Sequence, residues 1–305
     1  MRHKIINFLK WVWIIVVLLG AGWYFYRHYQ EISQFLETIS PMRLIACFFL
    51  LLIGKLALAD ISRLSLKKVG YLMPFKEALT ITSVTQLGKY LPGGIWHFAG
   101  KYGVYKVKGI STKKSAQAMV VENLWLISSA GVVGIILLLT SSGEFACQYI
   151  NLFCTQLFVK LFTVLLPIFW IAGLLVFEYF FFGKQKIEIK DLSLAVAELF
   201  FIWLIFGLSF WLVFPPNGGY FYQVAGAFSL SWLAGYVAIF APGGLGVREL
   251  LLAVILGSFF TSEEVAIYAT VHRLLWVLAE VFLGGISALV FGIPVGSDIA
   301  QREGR

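Results

Sequence analysis

Gly88-Lys89-Tyr90-Leu91-Pro92-Gly93-Gly94-Ile95-Trp96-His97 and Ala241-Pro242-Gly243-Gly244-Leu245-Gly246-Val247-Arg248-Glu249 each place a Pro-Gly-Gly break inside an otherwise helical stretch. Proline removes a backbone donor and clashes with the preceding turn, and glycine weakens a helix. The regions Phe75 to Ile110 and Tyr220 to Phe260 therefore read as two short helices around a break. The chain around them is 60% hydrophobic and 13% charged, against roughly 25% charged in an ordinary soluble domain. Irregular backbone at membrane depth survives only inside protein or along a water-filled cavity, so a re-entrant hairpin is expected in both regions. Two full spans are the alternative for the second, and either choice returns the chain to the same side.

Working outward, the apolar runs Trp11–Tyr26, Met42–Ala59, Ser115–Thr140, Phe158–Phe182, Leu192–Phe214 and Glu264–Phe291 are near the ~20 residues that cross a bilayer. The first follows Arg2, Lys4 and Lys10 like a signal peptide. It ends in Trp23, Tyr24 and Tyr26 with no small-residue cleavage site, so it is expected to stay as a span. The net charge of +8 falls between hydrophobic segments rather than on one soluble face, which argues for membrane anchors and against nucleic acid. Lys and Arg crowd the stretches 60–77, 101–114 and 183–190 and are missing from 141–157 and 214–220. The positive-inside rule then places both termini of a multi-pass protein in the cytoplasm, and the expected location is a bacterial cytoplasmic (inner) membrane. Single cysteines at Ser142 and Thr112, with the native cysteines removed, test this. Ser142 should label from outside with an impermeant thiol reagent, and Thr112 only after permeabilisation. Equal labelling in sealed cells would contradict the orientation.

Pro242 follows Pro92 by 150 residues, and the same offset superposes the neighbouring segments without a gap. Ser111-Thr112 falls on Thr261-Ser262, Glu122 on His272 and Gly134 on Gly284. Identity between the halves is low, so the argument rests on the coincidence of breaks, caps and spans. The expected fold is all-α: one transmembrane domain over residues 1–305, with repeat one at about 1–145 and repeat two at about 150–295. Each repeat holds three crossings and one broken hairpin. Three is odd, so the second is inverted, the plan of many transporters.

A charge at the bilayer centre costs about 2.5–3.5 kcal/mol on insertion scales, so buried ones need a partner or a purpose. The helix beginning near Leu245 offers free N–H groups and a positive dipole end to an anion. Gly243, Gly244 and Gly246 allow close approach, and Arg248 adds a planar fork matched to phosphate. The competing reading is that Arg248 and Glu249 neutralise each other at a helix start. Lys89, beside the first break, is balanced between ligand contact and structural pairing. Lys101, Lys106 and Lys108 read as a solvated face, and His97 as a packing residue. His272, Arg273, Trp276, Glu280, Gly284 and Ser287 recur along one broad face of the last helix. Glu122, with Asn123, Trp125 and Ser129, forms a shorter polar stripe and pairs, in the competing reading, with an arginine across the repeat interface. Glu198 is a further charge partner at mid-span. Cys147 and Cys154 share a loop and are either bridged or two unpaired thiols.

Only three aspartates occur, far apart, and four scattered histidines make no metal site. No nucleotide-binding glycine loop follows a strand. No catalytic residue, cofactor or metal is therefore assigned, and a transporter is favoured over an enzyme.

The segments QLGKYLPGGIWHFAGKYGVYK (86–106), GYVAIFAPGGLGVRE (235–249) and HRLLWVLAE (272–280) resemble the flippase-like transmembrane family of lysylphosphatidylglycerol synthases, over nearly the whole chain. On that resemblance Lys89, Pro92, Gly93, Gly94, Pro242, Gly243, Gly244, Arg248, Glu249 and Arg273 occupy motif positions. The resemblance implies movement of a lipid or lipid-linked substrate between leaflets. No soluble aminoacyl-transferring domain is expected, so synthesis of lysylphosphatidylglycerol is not. The leading expectation is translocation of an anionic phospholipid or polyprenyl-phosphate-linked lipid, its headgroup held by the dipole ends and Arg248 on a path lined by Arg273 and Glu122. The alternatives are a membrane-embedded enzyme on polyprenyl-phosphate sugars, with Glu122 or Glu198 as base, and an accessory partner of a lipid synthase or glycosyltransferase. A homo-oligomer is left open.

Overall fold

A computed structural model describes residues 39–90, 95–140, 156–183, 189–215, 221–238, 244 and 246–292. The expected span Trp11–Tyr26, residues Pro92, Gly93, Gly94, Pro242 and Gly243, both cysteines of the 141–157 stretch and both termini lie outside them. The described elements are all helical: α1 (Pro41–Lys68), α2 (Phe75–Gln86) with a 3-10 turn (Leu87–Tyr90), α3 (Trp96–Val107), α4 (Thr112–Thr140), α5 (Gln156–Phe182), α6 (Ile189–Trp211), α7 (Phe221–Val237), α8 (Val247–Leu256) and α9 (Ser262–Phe291). Five of them, α1, α4, α5, α6 and α9, are long and apolar enough to cross a bilayer. The chain is an all-α membrane protein.

The first broken region folds as two short helices, and the second as a 17-residue α7 followed by the short α8. α2 and α3 have 12 residues each and α8 has 10, about 15–18 Å at 1.5 Å per residue and too short to span ~30 Å of hydrocarbon. The expected caps form at the starts of α4 and α9. Ser111 Oγ accepts the Lys114 N–H at 3.4 Å. Thr261 Oγ1 accepts the Glu264 N–H at 3.2 Å, and Glu264 returns a bond to the Thr261 N–H at 2.8 Å, a reciprocal capping box.

α1 departs from its expected end at Ala59 and runs on to Lys68. The polar residues that made 60–68 look like a loop are satisfied without leaving the helix. Arg63 bonds Asp60 one turn away, Lys67 reaches Asp191 on α6 at 2.7 Å, and Lys68 reaches Glu178 on α5 at 2.8 Å with both side chains 1% exposed. Leu66, Val69, Met73, Ala78, Val104 and Ile110 pack together at this end, with Phe182 against them, so the basic stretches 60–77 and 101–114 and the end of α5 share one end of the bundle.

Around the centre, α1 packs on α6, α2, α9 and α4; α7 packs on α4, α6 and α8; and α9 packs on α2, α8 and α6. Small residues set the closest crossings, as membrane helices prefer. A Cβ on Gly134 of α4 would come 2.8 Å from Leu230 of α7, and one on Gly284 of α9 would come 3.1 Å from Leu87 after α2. The interior is aromatic, with Trp203, Phe206 and Phe210 of α6 and Trp125 of α4 at 0–1% exposure. Trp203 Nε1 donates to Ser129 Oγ at 2.8 Å, while Trp125 Nε1 is buried with no hydrogen-bond partner among the described residues.

Candidate anion-binding cavity

A cavity of about 60 Å³ lies where residues flanking both breaks meet. Lys89 and Tyr90 come from the 3-10 turn before the first break, and Arg248 and Glu249 from the first turn of α8 after the second. α9 adds His272, Arg273 and Trp276, while Phe210, Phe228 and Leu252 supply apolar wall.

Glu280, one turn beyond Trp276, is the electrostatic centre behind this wall. It is 2% exposed and gathers four donors. Lys55 Nζ approaches Oε1 at 2.7 Å, Trp276 Nε1 donates to the same oxygen at 2.8 Å, Tyr90 Oη donates to Oε2 at 2.6 Å, and Lys89 Nζ bonds Oε1. A buried carboxylate loses several kcal/mol of hydration, and this many donors offset that loss. Lys55 also sits 3.8 Å from the centroid of the Trp276 ring, a cation–π contact that helps hold a cation in an apolar surround. The hub ties α1 and α9 to the tip of the first broken segment.

Arg248 is held differently. A Cβ on Gly235 of α7 would come 2.4 Å from its Cγ, and one on Gly244 would come 2.8 Å from its Nε. The two glycines thus form a slot for the side chain, and Gly244 also has φ +74°, a backbone that glycine adopts without strain. The guanidinium carbon lies 5.8 Å from the centroid of the Trp232 ring. Arg248 Nε is buried, with no hydrogen-bond partner among the described residues. Glu249 does not neutralise it, which corrects the competing reading. One oxygen of Glu249 accepts the Gly246 N–H at 2.8 Å and the other accepts Arg273 Nη1 at 2.7 Å.

Five of the expected site residues therefore line one cavity: Lys89, Arg248, Glu249, His272 and Arg273. Glu280 stands directly behind it, and Gly244 shapes the Arg248 slot. Three expectations need correction. Gly246 is exposed at φ +82° and does not line the cavity; its N–H serves Glu249, because a carboxylate three residues on is ideally placed to cap it. Glu122 does not line this cavity either, and among the described residues no arginine pairs with it. Both of its oxygens take Lys101 Nζ, at 2.6 and 2.7 Å. Lys101 is accordingly 7% exposed rather than solvated, since the Glu122 charge on α4 draws it inward. Lys106 is exposed as expected, and Lys108 reaches Glu77 at 2.7 Å. His272 is a packing residue within the wall, its Nε2 2.9 Å from Ser209 Oγ and its ring against Phe210 and Phe228.

Lys55, Tyr90 and Gly235 escaped the sequence reading. Lys55 carried a usable signal, a lone cation inside the apolar run of α1. Gly235 carried none, because only the packed position of Arg248 reveals why a side chain is excluded there.

The cavity is suited to hold an anion. Lys55, Lys89, Arg248 and Arg273 gather here with Glu249 and Glu280 as the facing carboxylates, leaving two positive charges in excess among the described residues. Among those residues no group of three His, Cys, Asp or Glu side chains is placed to hold a metal ion. No protein-family model matches the chain, and no curated protein matches it.

Proposed function

We propose that this chain is a flippase-like translocase of a bacterial cytoplasmic membrane that carries an anionic lipid or polyprenyl-phosphate-linked lipid between leaflets. The observation that carries the reading is Arg248, a buried guanidinium with an unpartnered Nε at a cavity shared by the flanks of both breaks. A headgroup charge resists entering hydrocarbon. A site with two excess cations offsets that cost while the tails stay in lipid, and Arg248 presents a planar fork to phosphate oxygens.

The same reading takes the two halves as inverted repeats with re-entrant hairpins. The packing supports it. Exchanging α1 with α6, α2 with α7, α3 with α8 and α4 with α9 turns each close packing pair among these eight helices into another close pair, with α1 against α6 as the self-paired contact. Gly134 and Gly284, which the 150-residue offset superposes, sit at exchanged crossings of a long helix on a short segment of the other half. A cavity lined by the flanks of two broken helices fits the arrangement by which inverted-repeat transporters hold substrate.

The enzymatic alternative needs a free base. Glu122 is held by Lys101, and Glu198, whose Oε2 is buried without a hydrogen-bond partner among the described residues, does not line the cavity, so nothing at the cavity favours it. The test is reconstitution of purified protein into vesicles carrying a reporter-labelled anionic lipid in one leaflet. The lipid should equilibrate between leaflets faster than in protein-free vesicles and be recovered chemically unchanged. No acceleration, or chemical conversion of a polyprenyl-phosphate sugar by the same preparation, would overturn the proposal.

A further inference from the structure

We propose that the headgroup taken into this cavity is a terminal phosphate monoester on a lipid tail, not a phosphodiester with a larger headgroup beyond the phosphate. The inference rests on the translocase reading and names its substrate class. Three features of the cavity point to it: its charge, its size and the prior engagement of the uncharged polar groups on its wall.

The two excess cations can be located. Arg273 is matched by Glu249 at 2.7 Å. Lys55 and Lys89 share the single carboxylate of Glu280, and of the two it is Lys89 that lines the cavity, at 26% side-chain exposure against 5% for Lys55. Arg248 has no carboxylate within ion-pair distance among the described residues. One surplus charge therefore sits on each side of the cavity, Lys89 before the first break and Arg248 after the second. A phosphate monoester carries about 1.5–2 negative charges near neutral pH and can meet both. A phosphodiester carries one and would leave a cation uncompensated.

The space enclosed by the described residues is of the order of one phosphate. A water needs ~10–15 Å³ of such space, so 60 Å³ holds about four to six waters, close to the four oxygens of one phosphate. Beyond the charged groups the wall is mostly apolar. Its remaining polar groups are engaged: Ser231 Oγ donates to the Phe228 carbonyl at 2.9 Å, Tyr90 donates to Glu280, and His272 is bonded to Ser209. Sugar or glycerol hydroxyls would find these side-chain hydrogens already committed and would exchange water for fewer partners, a cost for buried polar groups. A cationic amine would meet Glu249 only in competition with Arg273.

The test compares three probes on purified protein in detergent: a single-chain alkyl phosphate, its methyl ester of the same chain length, and inorganic phosphate. The alkyl phosphate should bind about tenfold or more tightly than the methyl ester, as expected for one additional charge-assisted contact. Inorganic phosphate should bind more weakly than the alkyl phosphate, because it brings no tail. Equal affinity for alkyl phosphate and methyl ester would overturn the monoester inference and leave the anionic-lipid reading standing. Equal affinity for inorganic and alkyl phosphate would show a free-phosphate site and overturn the lipid source. Absence of binding by either alkyl compound would overturn both the inference and the reading it rests on.

Discussion

Replacing Glu280 with glutamine is expected to destabilise the protein by about 3–5 kcal/mol, the usual cost of removing one partner from a buried ion pair. The substitution keeps the shape of the side chain and removes its charge. Lys55, at 5% exposure, and Lys89 then face each other across a neutral amide, and Tyr90 and Trp276 lose the charge that strengthened their bonds. That cost is a large share of the 5–15 kcal/mol that typically holds a domain together. Thermal unfolding in one fixed detergent should show a much lower midpoint than wild type. Adding Lys55→Met to the Glu280→Gln protein should recover part of the loss, because the stranded ammonium is what the fold cannot tolerate. An unchanged midpoint in Glu280→Gln would contradict the hub.

A comparable loss is expected for Glu122→Gln, for the same reason but with a different functional outcome. Glu122 and Lys101 are 10% and 9% exposed, so the variant strands Lys101 between α3 and α4 at about 3 kcal/mol or more. The cavity does not include either residue. At a temperature where the variant is folded, binding of the alkyl phosphate probe should therefore match wild type. Weakened binding by a well-folded Glu122→Gln protein would return Glu122 to the substrate path and contradict its structural assignment.

The architecture was legible from local signals that act within a turn or two. The Pro-Gly-Gly breaks stop helices through missing donors and weak propensity, and α2, α3 and α8 are short around them. The caps at Ser111 and Thr261 follow from side-chain oxygens three residues ahead of an N–H. What was not legible is the pairing of charges across the bundle. Lys101, Lys106 and Lys108 look alike in the sequence, yet one is buried on Glu122, one is exposed and one meets Glu77. Their fates depend on which carboxylate another helix presents. The end of α1 was misplaced for the same reason. Arg63, Lys67 and Lys68 resemble a loop until Asp60, Asp191 and Glu178 are seen to receive them. The site itself was half legible: polar residues in apolar helices marked Arg248, Arg273 and Glu280, while the glycine slot that aims Arg248 required the packed chain.

The central claim is that the Arg248 fork grips a phosphate, and exchanging that fork for a point charge tests it most directly. Deleting the charge would confound binding with folding, whereas Arg248→Lys keeps the charge and replaces a bidentate planar donor with a compact ammonium. Affinity for the alkyl phosphate should fall about fivefold to thirtyfold, equivalent to about 1–2 kcal/mol for a charge-assisted contact, with the unfolding midpoint near wild type. Lys106→Arg, on an exposed position outside the cavity, should leave affinity unchanged. Wild-type affinity in a well-folded Arg248→Lys protein would contradict the account and leave Arg248 as a packing residue in its glycine slot.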